Sequence, residues 1–297
     1  MPINNLPVEM LNKCFHFYYG SFTDDTANFC SRMLAIYPVN TDLSAMLAYA
    51  ELAGERDFRI HIELLRPLDA IYDMETSVSS SSAAFLTSLA TILETLLPRA
   101  AFLHLESVSS VQTLYFVPLL CCFSCPCLRK LNLNLTSMVL KDAPVVIPEA
   151  RQVTHLCVRN TLYARISDSL FVTVTALMIV NLSDMPFQSD FVRIFRATPL
   201  LTFLHLEGTD CEEDDNGDDA PINLPFLAHV HFGRAAGQTV GLACQFRALA
   251  LSYLMLSCLT HEELELVVKA ATAWCSTVQY LTFPSLITTG PMLTRVL

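Results

Sequence analysis

Apolar and polar positions along the chain recur in a fixed order: apolar, two variable residues, apolar, one variable residue, apolar. The order occurs at Ala100-Leu103-Leu105, Leu128-Leu131-Leu133, Val153-Leu156-Val158, Val174-Leu177-Ile179, Leu201-Leu204-Leu206, Leu227-Val230-Phe232, Leu251-Leu254-Leu256 and Val278-Leu281-Phe283. The middle residues stand at 103, 131, 156, 177, 204, 230, 254 and 281, giving separations of 28, 25, 21, 27, 26, 24 and 27. In an extended strand alternate side chains face opposite ways, so the last two apolar residues of each copy point inward together. Leu204 and Leu206 would then be buried while His205 points out. The remaining residues of each copy must return the chain to the next parallel strand, which a helix does. No single unit can bury its apolar face alone, so stacking of neighbours would stabilise the array.

Several linking segments carry the helical period. Ser189–Ala197 places Phe191, Ile194 and Phe195 on one face, and Thr260–Cys275 opens with Thr260 and Glu263 at capping-box spacing. Ser82–Leu97 holds a single charge, Glu94, yet Phe85, Leu86, Leu89, Ile92 and Leu96 fit the same period. Phe58-Ile60-Ile62 reads as one more, degenerate strand.

Composition narrows the function classes. The 297 residues allow two domains or one extended array, and a chain 53% hydrophobic and 16% charged is not disordered. With only eight glycines it has no G-x-G-x-x-G, no Walker-type loop and no G-x-S-x-G elbow. Net charge is -11, but eight of the acids (Glu207, Asp210, Glu212, Glu213, Asp214, Asp215, Asp218, Asp219) fall in thirteen residues without Lys or Arg. Without them the body stands at -3, and no basic stripe offers itself to a phosphate backbone, which argues against nucleic acid.

The N-terminus lacks the basic and apolar regions of a secretory signal, so the chain is expected in the cytoplasm or nucleus. Its eleven cysteines are then expected to be reduced, and the sequons at Asn134 and Asn181 unused. The apolar runs Leu114–Leu128 and Ser169–Ser183 fall short of the roughly 20 residues of a membrane span. No membrane partner is expected.

Cys125-Pro126-Cys127-Leu128-Arg129-Lys130-Leu131-Asn132-Leu133 resembles the C-P-x-L-x-x-L-x-L opening of leucine-rich repeats in F-box proteins, and the irregular repeat lengths look like those of fungal members. Leu6-Pro7-Val8-Glu9-Met10-Leu11-Asn12-Lys13-Cys14-Phe15 is similar to the start of an F-box, and Asn28–Met33 resembles part of its second helix. The fold this implies is α/β: a helical F-box-like segment over residues 1–50 joined to a leucine-rich-repeat solenoid, parallel strands plus helices, over 51–297. The function implied is substrate recognition for a Skp-cullin-F-box ubiquitin ligase. Leu6, Pro7, Glu9, Met10, Leu11 and Phe15 would dock a Skp-type adaptor, and the concave repeat face would bind a protein substrate. The alternative is an interaction scaffold or regulator without ubiquitin chemistry.

The strand register places two rows on the concave face. One is His104, Asn132, Cys157, Met178, His205, His231, Met255, Thr282; the row before it is Phe102, Lys130, His155, Ala176, Phe203, His229, Tyr253, Tyr280. With strands about 4.8 Å apart, Phe102, His155, Phe203, His205, His229, His231, Tyr253 and Tyr280 either grip a protein segment or pave a solvated sheet. His205 and His231 as direct neighbours, with His229 two residues away, suggest zinc, but no carboxylate or Cys is assured as a third or fourth ligand, and ordinary surface histidines are the expectation. Cys121, Cys122, Cys125 and Cys127 have no partner C-x-x-C and read as small thiols in a core. Setting Glu212, Asp214 and Asn216 as the opening ligands of a calcium loop puts Asn223 where a bidentate Glu is required, so the acidic run reads as a solvated, mobile loop. His261-Glu262 is followed by Glu265 where H-E-x-x-H needs a histidine. No nucleophile, general base, metal or cofactor site emerges, and the chain is not expected to be an enzyme.

Overall fold

A computed structural model describes residues 32–36, 58–64, 90–107, 121–135, 150–160, 166–182, 186–212, 220–234, 237–242, 245–257, 260, 262–263, 265–267 and 277–285. The chain divides into two compact units, Met1–Leu135 with Ile147–Gln152, and Thr136–Val146 with Val153–Leu297.

In the first unit β1 (Arg32–Ile36), β2 (Phe58–Leu64), β3 (Ala100–Ser107) and β4 (Lys130–Leu135) are neighbours in that order, all parallel. Register sets Ile60 and Ile62 beside Leu103 and Leu105, and these beside Leu131 and Leu133; none of the six is more than 1% exposed. The degenerate strand expected at Phe58-Ile60-Ile62 is therefore β2. Residues 90–96 are helical, with Ile92 and Leu96 buried as their spacing requires.

One expectation is corrected here. Arg32 and Met33, placed in an N-terminal helical segment, open β1 instead. Arg32-Met33-Leu34-Ala35-Ile36 is an almost unbroken apolar run, which suits a strand paired along its whole length with β2 better than a two-faced helix. The other residues of 1–50, Leu6, Pro7, Glu9, Met10, Leu11 and Phe15 among them, lie outside the described residues.

The second unit repeats the parallel arrangement. Its strands are β5 (His155–Arg159), β6 (Ala176–Val180), β7 (Phe203–Glu207), β8 (Ile222–Asn223), β9 (His229–Phe232), β10 (Phe246–Arg247), β11 (Tyr253–Ser257) and β12 (Tyr280–Ser285). The order β5-β6-β7-β9-β11-β12 forms the main sheet, and β8 pairs with β10 apart from it. Helices α1 (Asp168–Phe171), α2 (Gln188–Ala197) and α3 (Gly237–Leu242) occupy the returns. This is an α/β fold with a large parallel sheet and few helices, compatible with a solenoid.

The recurring sequence pattern has a recurring physical cause. The first apolar residue of a copy closes a tight turn: the N–H groups of Leu128, Val174, Leu201, Leu227 and Leu251 donate to the carbonyl three residues back at 3.1–3.2 Å. Pro126, Pro199 and Pro225 occupy the second position of three of these turns, where their fixed φ is favourable. Each copy is then tied to the one before it. The carbonyls of Thr154, Thr175, Thr202, Ala228 and Ser252 each accept two N–H groups from the following copy at 2.8–3.0 Å. The hydroxyls of Thr175 and Thr202 donate to the carbonyls of Thr154 and Thr175 at 3.1 and 2.9 Å.

The inward positions fill the core. Leu156, Leu177, Leu204, Val230 and Leu254 are at most 2% exposed, whereas Leu281 on β12 is 40% exposed. Behind the sheet α2 buries Phe191, Ile194 and Phe195, and Phe195 meets Phe246 of β10 edge-on at 5.1 Å. The expected capping box is formed: Thr260 N–H donates to Glu263 Oε2 at 2.6 Å and Glu263 N–H to Thr260 Oγ1 at 3.2 Å. No helix of the described residues is long and apolar enough to cross a membrane.

Candidate binding face

Because residues alternate across a strand, every second residue of β5 to β12 faces away from the core that Leu204 and its counterparts fill. The observed register sets Phe203, His229, Tyr253 and Tyr280 side by side on β7, β9, β11 and β12. Ala176 precedes Phe203 in this row, and His155 precedes Ala176. The next row runs Cys157, Met178, His205, His231, Met255, Thr282. Six of the eight side chains expected on the binding face, Phe203, His205, His229, His231, Tyr253 and Tyr280, thus meet on four consecutive strands. Ala176 separates exposed His155 from Phe203, and Phe102 belongs to the first unit, beside Lys130.

Two pairs of rings in these rows touch. His229 and Tyr253 have centroids 5.6 Å apart, and the Tyr253 hydroxyl accepts from Thr282 Oγ1 at 3.3 Å. His205 stacks on His231 at 4.1 Å with 27° between planes. His231 Nε2 lies 2.6 Å from Ser257 Oγ, so hydroxyl and ring share a proton position set by the tautomer. His205 Nε2 lies 3.2 Å from Glu207 Oε2 but off the line of a hydrogen bond.

Burial dominates the electrostatics of the pair. It lowers the His205 pKa, with the Arg159 charge adding to the effect and Glu207 opposing it. It also lowers His231 to about 4, helped by His205 and opposed by Glu207. Ring planes stacked at 4.1 Å with 27° between them do not meet at metal-bonding distance from both rings, so a single ion cannot lie in both planes. Among the described residues no group of three or more His, Cys, Asp and Glu is placed to hold a metal.

Glu207, which apolar spacing does not place on this face, belongs to it, and the first unit repeats its setting. Glu106 and Glu207 follow His104 and His205 by two positions, in two copies of the same pentapeptide, Phe102-Leu103-His104-Leu105-Glu106 and Phe203-Leu204-His205-Leu206-Glu207. Each copy makes the same contact, Nε2 to Oε2 at 3.3 Å in the first unit and 3.2 Å in the second. Asn134 Nδ2 also donates to Glu106 Oε1 at 2.9 Å. A comparison of strand sequences for identity, beyond apolar spacing, exposes the pair. Gly233 makes room for Glu207: a β-carbon there would lie 2.7 Å from Glu207 Cγ.

The remaining candidates sort by burial and hydrogen bonding. Cys125 is buried, its thiol donates to the Phe123 carbonyl at 3.8 Å, and burial pushes its pKa up to about 12, as befits a core thiol. The acidic run is anchored at its start. Asp210 Oδ1 accepts from Cys211 N–H at 2.9 Å, Cys211 is 2% exposed, and Glu212 bridges to Phe187 beside α2. Residues 213–219 lie outside the described residues, as does His261. Compared with family models, with curated proteins and with solved structures, the chain matches none of them.

Proposed function

We propose that this is a leucine-rich-repeat protein without catalysis of its own, which binds a polypeptide partner on the strand face of Phe203, His205, His229, His231, Tyr253 and Tyr280. The observation carrying this reading is the register of β7, β9, β11 and β12 at one row, which lines up four rings across four strands. Aromatic side chains are large, rigid and amphipathic, and dominate contacts at protein interfaces. A photo-crosslinking amino acid at position 229 or 280 tests it, with partner identification by mass spectrometry. Phe203→Ala with Tyr253→Ala should abolish the adduct in a folded protein. An adduct that persists in that variant removes the reading.

A second, more specific reading makes this protein the substrate-recognition subunit of a Skp-cullin-F-box ubiquitin ligase in the cytoplasm or nucleus. What favours it is the run Leu6-Pro7-Val8-Glu9-Met10-Leu11-Asn12-Lys13-Cys14-Phe15. Since Arg32 and Met33 belong to β1, this reading rests on residues 6–15 and the repeat opening at Cys125. Co-purification with a Skp-type adaptor, lost on Leu11→Asp or Pro7→Asp, supports it. Failure to co-purify leaves the scaffold.

A further inference from the structure

Residues 59 and 130 are far apart in the chain, and the strand register of the first unit brings them to one row. Arg59 on β2 lies beside Phe102 on β3, and Phe102 beside Lys130 on β4, with Met33 of β1 next to Arg59. Arg59 and Lys130 are exposed, and Phe102 between them is half-buried. Among the described residues neither cation has an ion pair or a side-chain hydrogen bond. Exposed Arg129, whose N–H donates to the Ala101 carbonyl at 2.9 Å, adds positive charge at the start of the same strands. The row itself holds no acid. Glu63 and Glu106 stand four residues further along β2 and β3, roughly 13 Å away, and Glu106 is already engaged by His104 and Asn134. Glu55, Arg56 and Asp57, which precede β2, lie outside the described residues. The matching row of the second unit, His155, Ala176, Phe203, His229, Tyr253 and Tyr280, contains no Lys or Arg.

We propose that the row Arg59-Phe102-Lys130 binds an acidic, extended segment of a partner protein, two carboxylates pairing with the cations while an apolar side chain between them rests on the Phe102 ring. This is a second binding row, separate from the ring row of the second unit and of different chemistry. Three strands about 4.8 Å apart set the two cations roughly 10 Å apart at the backbone. In an extended segment residues i, i+2 and i+4 share a face and span roughly 13 Å, so acid, apolar and acid at those positions meet the row when the segment crosses it obliquely. The long stems of Arg59 and Lys130 take up the difference. Two unpaired cations with no acid in their row supply the charge complementarity. They are too few for a nucleic acid, whose affinity comes from neutralising many phosphates. The net charge of -11 does not forbid an acidic partner, because charges more than about 10 Å from the row are screened at 0.1 M salt.

Fluorescence anisotropy with the full-length protein tests this, using the labelled peptide Gly-Ser-Glu-Ser-Leu-Ser-Glu-Ser-Gly and three relatives: one with Ala for Leu, one with Gln for both Glu, and one with Lys for both Glu. The parent peptide should bind most tightly, about threefold or more above the Ala relative, and the Gln and Lys relatives should not bind. Its affinity should fall between about 100 and 300 mM salt, and about fivefold with either Arg59→Gln or Lys130→Gln. Both substitutions are at exposed side chains outside the core, so folding is retained and is checked by the melting temperature. Arg59→Glu with Lys130→Glu should reverse the preference and admit the Lys relative. Equal affinity for the Gln relative overturns the proposal, as does parent binding that ignores Arg59→Gln and Lys130→Gln. No binding by any peptide also overturns it. Binding removed by Phe203→Ala with Tyr253→Ala but not by the charge substitutions assigns the peptide to the second unit and overturns the proposal while leaving the ring row its partner. Failure of crosslinking at positions 229 and 280 removes the ring row alone and does not touch this one.

Discussion

The imidazoles of His205 and His231, on adjacent strands, stack with centroids 4.1 Å apart while burial holds both pKa values down. In the unfolded chain each ring titrates near its ordinary value of about 6.5, and His231 in the folded protein near 4. Between those values the unfolded state binds more protons, so stability is full above pH 6.5 and falls as pH drops toward 4. Glu207 and Arg159, the charged groups acting on His205, pull in opposite directions and leave the sign to burial. Melting temperatures from pH 7.5 down to pH 5 should decline, and His205→Gln with His231→Gln should flatten the decline. An undiminished slope in the double variant assigns it to other groups.

Equivalent positions in the repeat differ in burial, and their substitutions should differ in cost. Leu254 is 2% exposed, with a strand on either side, while Leu281 at the same register on β12 is 40% exposed. Leu254→Ala should destabilise by about 2–5 kcal/mol, and Leu281→Ala by about 1 kcal/mol. Urea denaturation followed by circular dichroism reads both. Equal losses would mean that β12 is packed on its outer side as fully as β11.

Thiol chemistry should follow burial in the Cys121–Cys127 cluster. Cys122 is exposed, whereas Cys125 is buried with its pKa pushed up to about 12. The thiolate is the reactive form. Iodoacetamide at pH 8 should therefore label Cys122 first and Cys125 only on unfolding, as peptide mapping would record. Early labelling of Cys125 would place it outside the core.

The strand register was legible because one physical constraint writes it into the chain: alternate residues must be apolar wherever neighbours stack. That suffices to pair His205 with His231 and Phe203 with His229 from the sequence alone. It failed where the constraint changes. In β1 the run from Met33 to Ile36 shows no alternation to mark a strand, and Asn28–Met33 resembles a helix instead. β8 and β10 have two residues each, too few to display a period. Glu207 is legible as a charge but not as part of the face, since in the sequence it heads the acidic run that follows it. Asn160, Asn181 and Gly208, which end β5, β6 and β7 with positive φ of 50°, 49° and 59°, carry no apolar signal at all. Their shared tolerance of the left-handed region is the only trace of the turn they make.

Gly233 and Glu207 should behave as one unit. A β-carbon on Gly233 would lie 2.7 Å from Glu207 Cγ and 2.8 Å from Glu207 Cβ, closer than carbon atoms pack. Both Cβ positions are fixed by backbone, and the N–H of Gly233 is held by the Leu206 carbonyl at 2.7 Å, so the strands cannot part without losing that bond. Gly233→Ala should then cost about 1–3 kcal/mol and turn the Glu207 carboxylate away from His205. Glu207→Ala removes the nearer contact but keeps the Cβ, so the double variant should recover part of the loss. A thermodynamic cycle over the two substitutions measures the coupling. Strict additivity would show that Glu207 does not lie across Gly233, and with that the glycine would lose its role in shaping the face.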